Sequence, residues 1–246
     1  MDFVLVTCGI YVIIHLKGSD KILFRALTKW ASQMSHIQAL IIRIPVILFA
    51  LTIHEYAHGW MAYRFGDPTA KMSGRLTLNP ISHIDIFGAI CFFLAGFGWA
   101  KPVPIDPRNF RNPRKDEMYV SLAGPGANLF AALIFGLILR YFLTQSILLA
   151  SVLVIGIFFN TALAIFNLLP VFPLDGSHVL KGLLSPMAAA RYSQYDRHSM
   201  TILIFVILLD NFMHLGILSL LLRTPIMLLC YLFGGNHFIV LIRYVF

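Results

Sequence analysis

Two histidines and a glutamate stand at a spacing that can hold a metal ion and use it. They form the pentad His54-Glu55-Tyr56-Ala57-His58 inside an apolar run. Four residues advance about 400° around a helix, so the two histidines lie one turn apart and can reach one metal ion together. Glu55 stands next to that face, where it can take a proton from water. The pentad therefore predicts metal-assisted hydrolysis, and the alternative is that it only marks the interfacial end of a membrane helix.

A third ligand has to come from elsewhere in the chain, because catalytic zinc sites use three protein ligands and keep one position open. Asp175 is the best candidate. Pro170 and Pro173 hold the stretch before it in an extended turn, which can aim the carboxylate into the protein interior. His178 is a competing ligand three residues further on. Without a metal, Asp175 would be an ordinary turn residue or helix N-cap.

The composition places these residues in a membrane protein. The chain has 246 residues, of which 59% are hydrophobic and only 12% are charged, whereas soluble domains average about 25% charged residues. The mean hydropathy is +0.80. The net charge of +8 arises from basic residues between apolar runs, where membrane topology explains them. A nucleic-acid-binding domain is therefore excluded, and the three scattered cysteines indicate inert buried thiols.

The apolar runs predict an all-α polytopic membrane protein with about six transmembrane helices, since a span needs about 20 helical residues. The predicted spans are Phe3–Leu16, Ile37–Tyr63, Met118–Phe142, Ser146–Leu169, Met200–Leu222 and Ile226–Phe246. A short strand is predicted at Met72–Asn79, where the residues alternate before a proline. Ile86–Ala100 is too short to cross and is expected to be re-entrant or interfacial. A small strand and re-entrant element thus follows the helix that carries the pentad.

Basic residues predict the orientation. The loops within residues 64–115 and 170–199 carry eleven of them, and the opposite side carries four. The positive-inside rule then puts His58 and Asp175 together on the cytoplasmic side. We expect one membrane-embedded domain over residues 1–246, with a catalytic core over about residues 37–184. Residues 1–36 and the C-terminal helices within 200–246 are expected to be peripheral to that core.

Four sequence blocks in this order and spacing resemble the site-two proteases, a family of intramembrane zinc metalloproteases. The blocks are the pentad, Gly66-Asp-Pro-Thr-Ala70 through Gly74-Arg-Leu-Thr-Leu-Asn-Pro80, Ala123-Gly-Pro-Gly-Ala-Asn128, and Asn167-Leu-Leu-Pro through Pro173-Leu-Asp-Gly176. They cover about residues 44–184. The stretch Phe97–Pro104 is similar to the compact branch of the family, which has no PDZ or nucleotide-binding module.

The resemblance implies a zinc-dependent intramembrane endopeptidase. Such an enzyme hydrolyses peptide bonds of transmembrane or membrane-associated proteins by means of metal-activated water. His54, His58 and Asp175 would ligate one Zn²⁺ per chain, and Glu55 would be the catalytic residue that activates the water. The expected partners are a transmembrane protein substrate and the lipid bilayer, while a homo-oligomer is left open.

Two asparagines also match the family. Asn128 and Asn167 correspond to asparagines beside the zinc, where their amides would bind the substrate backbone or the developing oxyanion. For both, the alternative is hydrogen bonding between helices. A strand edge at Arg75–Leu78 would offer an unwound substrate a place to pair by β-addition.

The expected location is a plasma membrane that the chain crosses several times, with the active site towards the cytoplasmic side. Two alternatives remain, namely a multi-pass transporter of metal or other ions and a proteolytically inactive membrane scaffold. A transport path would string ionisable groups through the depth of the bilayer, whereas here they cluster at one level. Asp210 and His214 lie one turn apart and suggest a proton relay, although an intramembrane hydrogen bond is favoured.

Overall fold

The computed structural model describes residues 3–7, 10–14, 36–95, 98–141, 146–213 and 216–245. These ranges contain two strands that pair antiparallel with Phe3 opposite Ile14, and nine α-helices. The strands are β1 (Phe3–Thr7) and β2 (Ile10–Ile14). The helices are α1 (His36–Arg64), α2 (Thr69–Met72), α3 (Ile86–Ala95), α4 (Pro113–Tyr141), α5 (Ile147–Asn167), α6 (Asp175–Leu183), α7 (Pro186–Ser193), α8 (Asp196–Met213) and α9 (Ile217–Val245).

Four helices of the described ranges are long and apolar enough to cross a membrane. Their spans are Leu40–Arg64, Pro113–Tyr141, Leu148–Asn167 and Leu220–Ile242. The prediction of about six transmembrane helices is therefore not confirmed. The prediction for Phe3–Leu16 is wrong, because its described part forms β1 and β2, as its β-branched and aromatic residues favour. The run Met200–Leu222 is divided, since α8 ends at Met213 and α9 begins at Ile217.

The main hydrophobic core lies where α1, α4, α5 and α9 pack together. Helix α5 contributes Val154 and Ile157, and α9 contributes Cys230 and Phe238, all of them fully buried. Helix α9 is thus part of the hydrophobic core. Burial on nearly all sides explains why α5 is apolar around its whole circumference.

Asp210, near the end of α8, organises the start of α9. The Asp210 carboxylate accepts the backbone N–H groups of Ile217 and Leu218, at 2.7 and 3.3 Å, and so caps the start of α9. Both of its oxygens are used there, which accounts for this acid without a proton relay. The other half of the predicted pair, His214, lies outside the described residues.

The predicted strand at Met72–Asn79 is not formed. Helix α2 ends at Met72, and Gly74 then takes a positive φ of 67° that turns the chain. The N–H groups of Arg75 and Leu76 both bond to the Ala70 carbonyl, at 2.8 and 3.1 Å, so this stretch folds back on α2 instead of extending. The expected strand edge for β-addition is therefore missing at Arg75–Leu78.

Helix α3 lies in a segment whose two ends come together. It has 10 residues and rises about 15 Å, half of the roughly 30 Å hydrocarbon core. Ile84 and Ala100 form an antiparallel bridge that closes the stretch. A Cβ on Gly88 would lie 2.2 Å from the Trp99 carbonyl oxygen, so glycine is needed where the two arms touch. This geometry agrees with a segment that does not cross.

Candidate metal centre and active site

Three side chains from two helices converge on one point. The Nε2 atoms of His54 and His58 are 3.0 Å apart, and Asp175 Oδ2 lies 3.2 Å from the first and 3.4 Å from the second. Two ligands of a tetrahedral zinc ion, each bound at about 2.0–2.1 Å, would be about 3.3 Å apart. The three residues thus form a group that could hold a metal ion, as their spacing in the sequence predicted.

Hydrogen bonds fix the protonation of both imidazoles. His58 donates from Nδ1 to the Val120 carbonyl oxygen at 2.7 Å. His54 donates from Nδ1 to Asn128 Oδ1 at 2.6 Å. That oxygen is assigned as the acceptor because the amide nitrogen of Asn128 donates to the Ala50 carbonyl at 2.9 Å. Each ring therefore donates from Nδ1, and a neutral ring then has its lone pair on Nε2, the nitrogen that lies beside Asp175.

This arrangement fits a cation. The two Nε2 atoms and the carboxylate oxygen are all acceptors, and acceptors about 3 Å apart repel one another unless a positive charge lies among them. Asp175 Oδ2 is buried and forms no hydrogen bond within the described structure, although both rings lie beside it. Two imidazoles and one carboxylate are a ligand set of catalytic zinc sites. The side chains are therefore suited to Zn²⁺.

Gly124 of α4 lets a second helix lie directly on the histidines. A Cβ at this position would be 2.3 Å from His58 Nε2 and 2.8 Å from His54 Cε1. No atom lies within 4 Å of the Cβ position of Gly126, two residues further on. Of the two glycines in this block, only Gly124 is required by the site.

Asn128 serves His54 and has no free donor for a substrate. It is completely buried, and its amide nitrogen donates to Ala50 O and Asn160 Oδ1, both at 2.9 Å. Its oxygen accepts from His54. The predicted substrate or oxyanion role does not agree with this geometry, since both amide hydrogens are already used; the alternative of hydrogen bonding between helices does.

Sequence reasoning missed Asn160. This residue accepts from Asn128 and donates to the Gly156 carbonyl at 2.8 Å, so it extends the chain of hydrogen bonds behind His54. A signal was present, because an asparagine in the middle of the apolar helix α5 needs a polar partner.

Asn167 is the last residue of α5. Its amide nitrogen donates to the Leu163 carbonyl of its own helix at 2.9 Å, and the side chain is half-buried. Within the described structure no contact joins it to the metal group. Its predicted role at the substrate stays a prediction.

A tight approach of α6 to the end of α5 places Asp175. A Cβ on Gly176 would lie 2.3 Å from the Leu168 carbonyl oxygen and 2.4 Å from that of Leu169. Helix α6 can therefore begin at Asp175 in close contact with the turn that follows α5. The turn predicted before Asp175 is present, with the Leu174 N–H bonded to the Val171 carbonyl at 2.9 Å.

The competing ligand His178 points to another partner. Its Nδ1 lies 2.9 Å from Glu117 Oε1 of α4. Arg114 of the same helix donates to the carbonyls of Lys181 and Gly182, at 3.1 and 3.2 Å. These contacts join α4 to α6 and leave Asp175 as the residue of α6 that faces the histidines.

Glu55 lies beside the metal group and is half-buried. Its Oε2 accepts the backbone N–H of Val103 at 2.8 Å. This contact joins the pentad to the proline-rich stretch after α3, a connection that the spacing of the sequence did not indicate. In the described part of the chain, the other carboxylate oxygen, Oε1, forms no hydrogen bond.

Asp67 anchors the loops around the mouth of the site. It is fully buried just after α1 and accepts from the Asp106 N–H at 2.8 Å, Asn109 Nδ2 at 2.8 Å and the Thr69 hydroxyl at 2.5 Å. Burial alone would raise the pKa of this carboxyl, but the hydrogen bonds from Thr69, Asp106 and Asn109 outweigh it and hold the pKa below its usual value.

Comparisons with known proteins agree with this site. The chain matches the model of Peptidase family M50 at residues 143–209, a stretch that contains Asp175. It is 42% identical over 173 residues to YwhC of Bacillus subtilis (strain 168), which carries the name of a zinc metalloprotease, and the match covers 67% of this chain and 78% of YwhC.

Two mycobacterial relatives carry similar names. The chain is 31% identical over 160 residues to Rip2 of Mycolicibacterium smegmatis, covering 62% of this chain and 61% of that protein. It is 33% identical over 145 residues to Rip2 of Mycobacterium tuberculosis (strain H37Rv), covering 56% of each. Both relatives are named as zinc metalloproteases. No solved structure matches.

The apolar helices, the ligand set and these relatives together define a membrane-embedded zinc metalloprotease. The chain belongs to peptidase family M50, the family of the site-two proteases, as its four sequence blocks predicted. Of the functions weighed from the sequence, the family therefore favours the peptidase over the ion transporter.

Proposed function

We propose that this protein is an intramembrane endopeptidase that hydrolyses peptide bonds of transmembrane or membrane-associated proteins. The observation that carries the proposal is the group of His54, His58 and Asp175 with Glu55 beside it. The two histidines and Glu55 lie on a helix of membrane-spanning length, and Asp175 lies at the start of the short helix α6. A metal group next to a carboxylate that keeps one oxygen without a hydrogen bond among the described residues has the parts that hydrolysis needs.

In this proposal, His54, His58 and Asp175 would hold one Zn²⁺ through Nε2, Nε2 and Oδ2. When bound, zinc supplies Lewis acidity, which makes water a stronger nucleophile at neutral pH and polarises the peptide carbonyl. Glu55 accepts a proton from the attacking water at Oε1 and delivers it to the leaving amine. Val103 keeps Oε2 fixed during this transfer.

The buried residues next to the ligands orient the ligand side chains. Asn128 and Val120 hold the imidazole rings so that both Nε2 atoms stay unprotonated and face the same point. Gly124 keeps α4 close enough to exclude bulk water from the rings. Asn167 has one amide hydrogen beyond its bond to Leu163, and we propose that it binds the backbone of an unwound substrate.

We further propose that the site faces the cytoplasm in a plasma membrane. Helix α1 ends at Arg64, α4 begins at Pro113 and α5 ends at Asn167, so the loops next to the metal group share one side. Those loops carry most of the basic residues of the chain, which supports a cytoplasmic location by the positive-inside rule.

The test uses the two glutamates of the chain, Glu55 and Glu117. Wild type, Glu55→Gln and Glu117→Gln are purified in detergent, and their zinc content and cleavage of a transmembrane peptide are measured. We expect one zinc per chain in all three, cleavage by wild type and Glu117→Gln, and none by Glu55→Gln. Cleavage by zinc-loaded Glu55→Gln would contradict the proposal.

A further inference from the structure

We propose that Arg75 is a positioning residue for the catalytic base Glu55, acting through the backbone of residues 101–103. The inference rests on the proposed function, because it assigns Arg75 a role in the same reaction. Arg75 does not contact Glu55 directly. Its effect passes through the segment 101–103, which joins the turn after α2 to the pentad helix α1.

The first link joins Glu55 to Val103. The Val103 N–H donates to Glu55 Oε2 at 2.8 Å. Prolines stand on both sides of Val103, at 102 and 104, and prolines have no N–H. Val103 is therefore the one residue of this triplet whose backbone can hold the carboxylate.

The second link fixes Val103 against α1. Its side chain is 7% exposed and lies over Gly59, one helical turn after Glu55. A Cβ on Gly59 would be 3.1 Å from Val103 Cγ1 and 3.3 Å from the Cβ of Ala70. Because Gly59 has no side chain, Val103 can pack against the backbone of α1 next to Glu55, the residue to which its N–H donates.

The third link is Arg75 itself. Its Nη2 donates to the carbonyl oxygens of Lys101 and Pro102, at 2.7 and 3.2 Å. These two carbonyls directly precede the Val103 N–H. A charged guanidinium on two successive carbonyls forms stronger hydrogen bonds than a neutral donor would, so Arg75 restrains the segment at the point where it reaches Glu55.

His83 supports the same segment from its other end. Its carbonyl oxygen accepts the Lys101 N–H at 2.9 Å. The side chain is only 2% exposed, and its Nε2 donates to the Thr77 carbonyl at 2.9 Å. The turn after α2 therefore holds residues 101–103 in place by way of Arg75 and His83, although it forms no strand.

This restraint should affect the reaction because the catalytic base must be correctly oriented. A glutamate side chain has three rotatable bonds, and each must be fixed if Oε1 is to meet the attacking water. With Oε2 held by Val103, the orientation of the carboxylate is set before substrate binds. Loss of Arg75 should then lower kcat, while the zinc ligands, which do not contact the segment within the described structure, keep their metal.

The experiment compares Arg75→Ala with Arg75→Lys and with Arg108→Ala, which removes an exposed arginine that forms an ion pair with the nearby Asp106. Zinc content, kcat and KM are measured with a transmembrane peptide. We expect one zinc per chain throughout, with kcat of Arg75→Ala about 10- to 100-fold lower and KM little changed. Arg75→Lys should recover part of kcat, because an ammonium can still donate to the carbonyls, and Arg108→Ala should match wild type.

A second pair of variants tests the link directly. Val103→Pro removes the N–H that holds Glu55, and Val103→Ala keeps it. Alanine shortens the side chain that packs over Gly59 but keeps the N–H, so we expect a much larger loss of kcat with proline than with alanine. Adding Arg75→Ala to Val103→Pro should cause no further loss, since both act on the same contact. Fully additive losses, a wild-type kcat in Arg75→Ala, or a loss of zinc together with kcat would overturn the inference. Cleavage by Glu55→Gln would instead refute the proposed function.

Discussion

Each histidine of the metal group is oriented by an oxygen that lies far away along the chain. The Nδ1 partners of His54 and His58 come from Asn128 and Val120, 74 and 62 residues further on. The ligands themselves could be predicted, because their types and their spacing on one helix express the chemistry. Their partners could not, because the contact of α1 with α4 arises only from packing.

A substitution at Asn128 distinguishes its two possible roles, which are orienting His54 and binding the oxyanion. We expect Asn128→Ala to weaken zinc binding about 10- to 100-fold, because His54 loses the acceptor that fixes its tautomer. Zinc affinity is measured by competition with a chelator, and cleavage is measured at saturating zinc. Unchanged zinc affinity with a large loss of kcat would contradict this assignment and favour the oxyanion role instead.

The two glycines of α4 should respond very differently to the same substitution. Gly124→Ala places a methyl group 2.3 Å from His58 Nε2, so we expect little or no bound zinc. Gly126→Ala meets open space and is the matched control, which should keep zinc and activity. The metal content of the two purified variants is measured. A fully zinc-loaded Gly124→Ala protein would contradict the close packing of α4 on the histidines.

At the scale of the elements, the turn between α5 and α6 brings the third ligand into place. The sequence indicated this turn by its prolines, and the close contact at Gly176 adds a second requirement that the spacing did not show. The alternation at Met72–Asn79 was misleading, since Gly74 and the Ala70 carbonyl turn that stretch back on α2. Alternation over so few residues does not exclude a turn.

Helix α6 should be sensitive at Gly176 and tolerant at its exposed positions. In Gly176→Ala the methyl group would collide with the carbonyls of Leu168 and Leu169, so Asp175 must move away from the histidines. We expect zinc content to fall by at least half and the activity with it. Leu183→Ala, on the exposed side of the same helix, is the control, and equal zinc content in the two variants would refute the argument.

The anchor at Asp67 should make the stability of the surrounding loops depend on pH. Because its pKa is lowered in the folded protein, the contribution is present above the unfolded value of about 3.9 and is lost as the pH falls through the lower folded value. We expect the difference in Tm between wild type and Asp67→Asn to stay constant from about pH 7 to 5 and to shrink below about pH 4. A difference that does not change with pH would contradict this assignment.

At the scale of the whole molecule, the described chain has four helices of membrane-spanning length rather than the six predicted. The hydropathy of the sequence predicted all four of these helices, because the ability of a helix to span a membrane depends on its length and its apolar composition. It also counted Phe3–Leu16, whose described residues are strands, because hydropathy does not distinguish the two kinds of structure. The packing of α9 against α5 in the hydrophobic core could not be predicted, because hydropathy indicates spans and not the contacts between them.

The orientation of the spans can be tested with single cysteines on a background that lacks Cys8 and Cys91. Arg111→Cys precedes α4 on the side of the metal group, and Ser146→Cys precedes α5 on the opposite side, both at exposed positions. With a membrane-impermeant thiol reagent on intact bacterial cells, we expect labelling at 146 and none at 111 until the cells are opened. The reverse pattern would contradict the cytoplasmic orientation.

The most direct measurement is the zinc content of three purified proteins, namely wild type, Asp175→Ala and His178→Ala. The two variants lie three residues apart on α6, but only Asp175 lies within 3.4 Å of the histidine nitrogens, while His178 pairs with Glu117. The account predicts one zinc per chain in wild type and His178→Ala and almost none in folded Asp175→Ala. Zinc retained by Asp175→Ala and lost from His178→Ala, or absent from folded wild type, would contradict it.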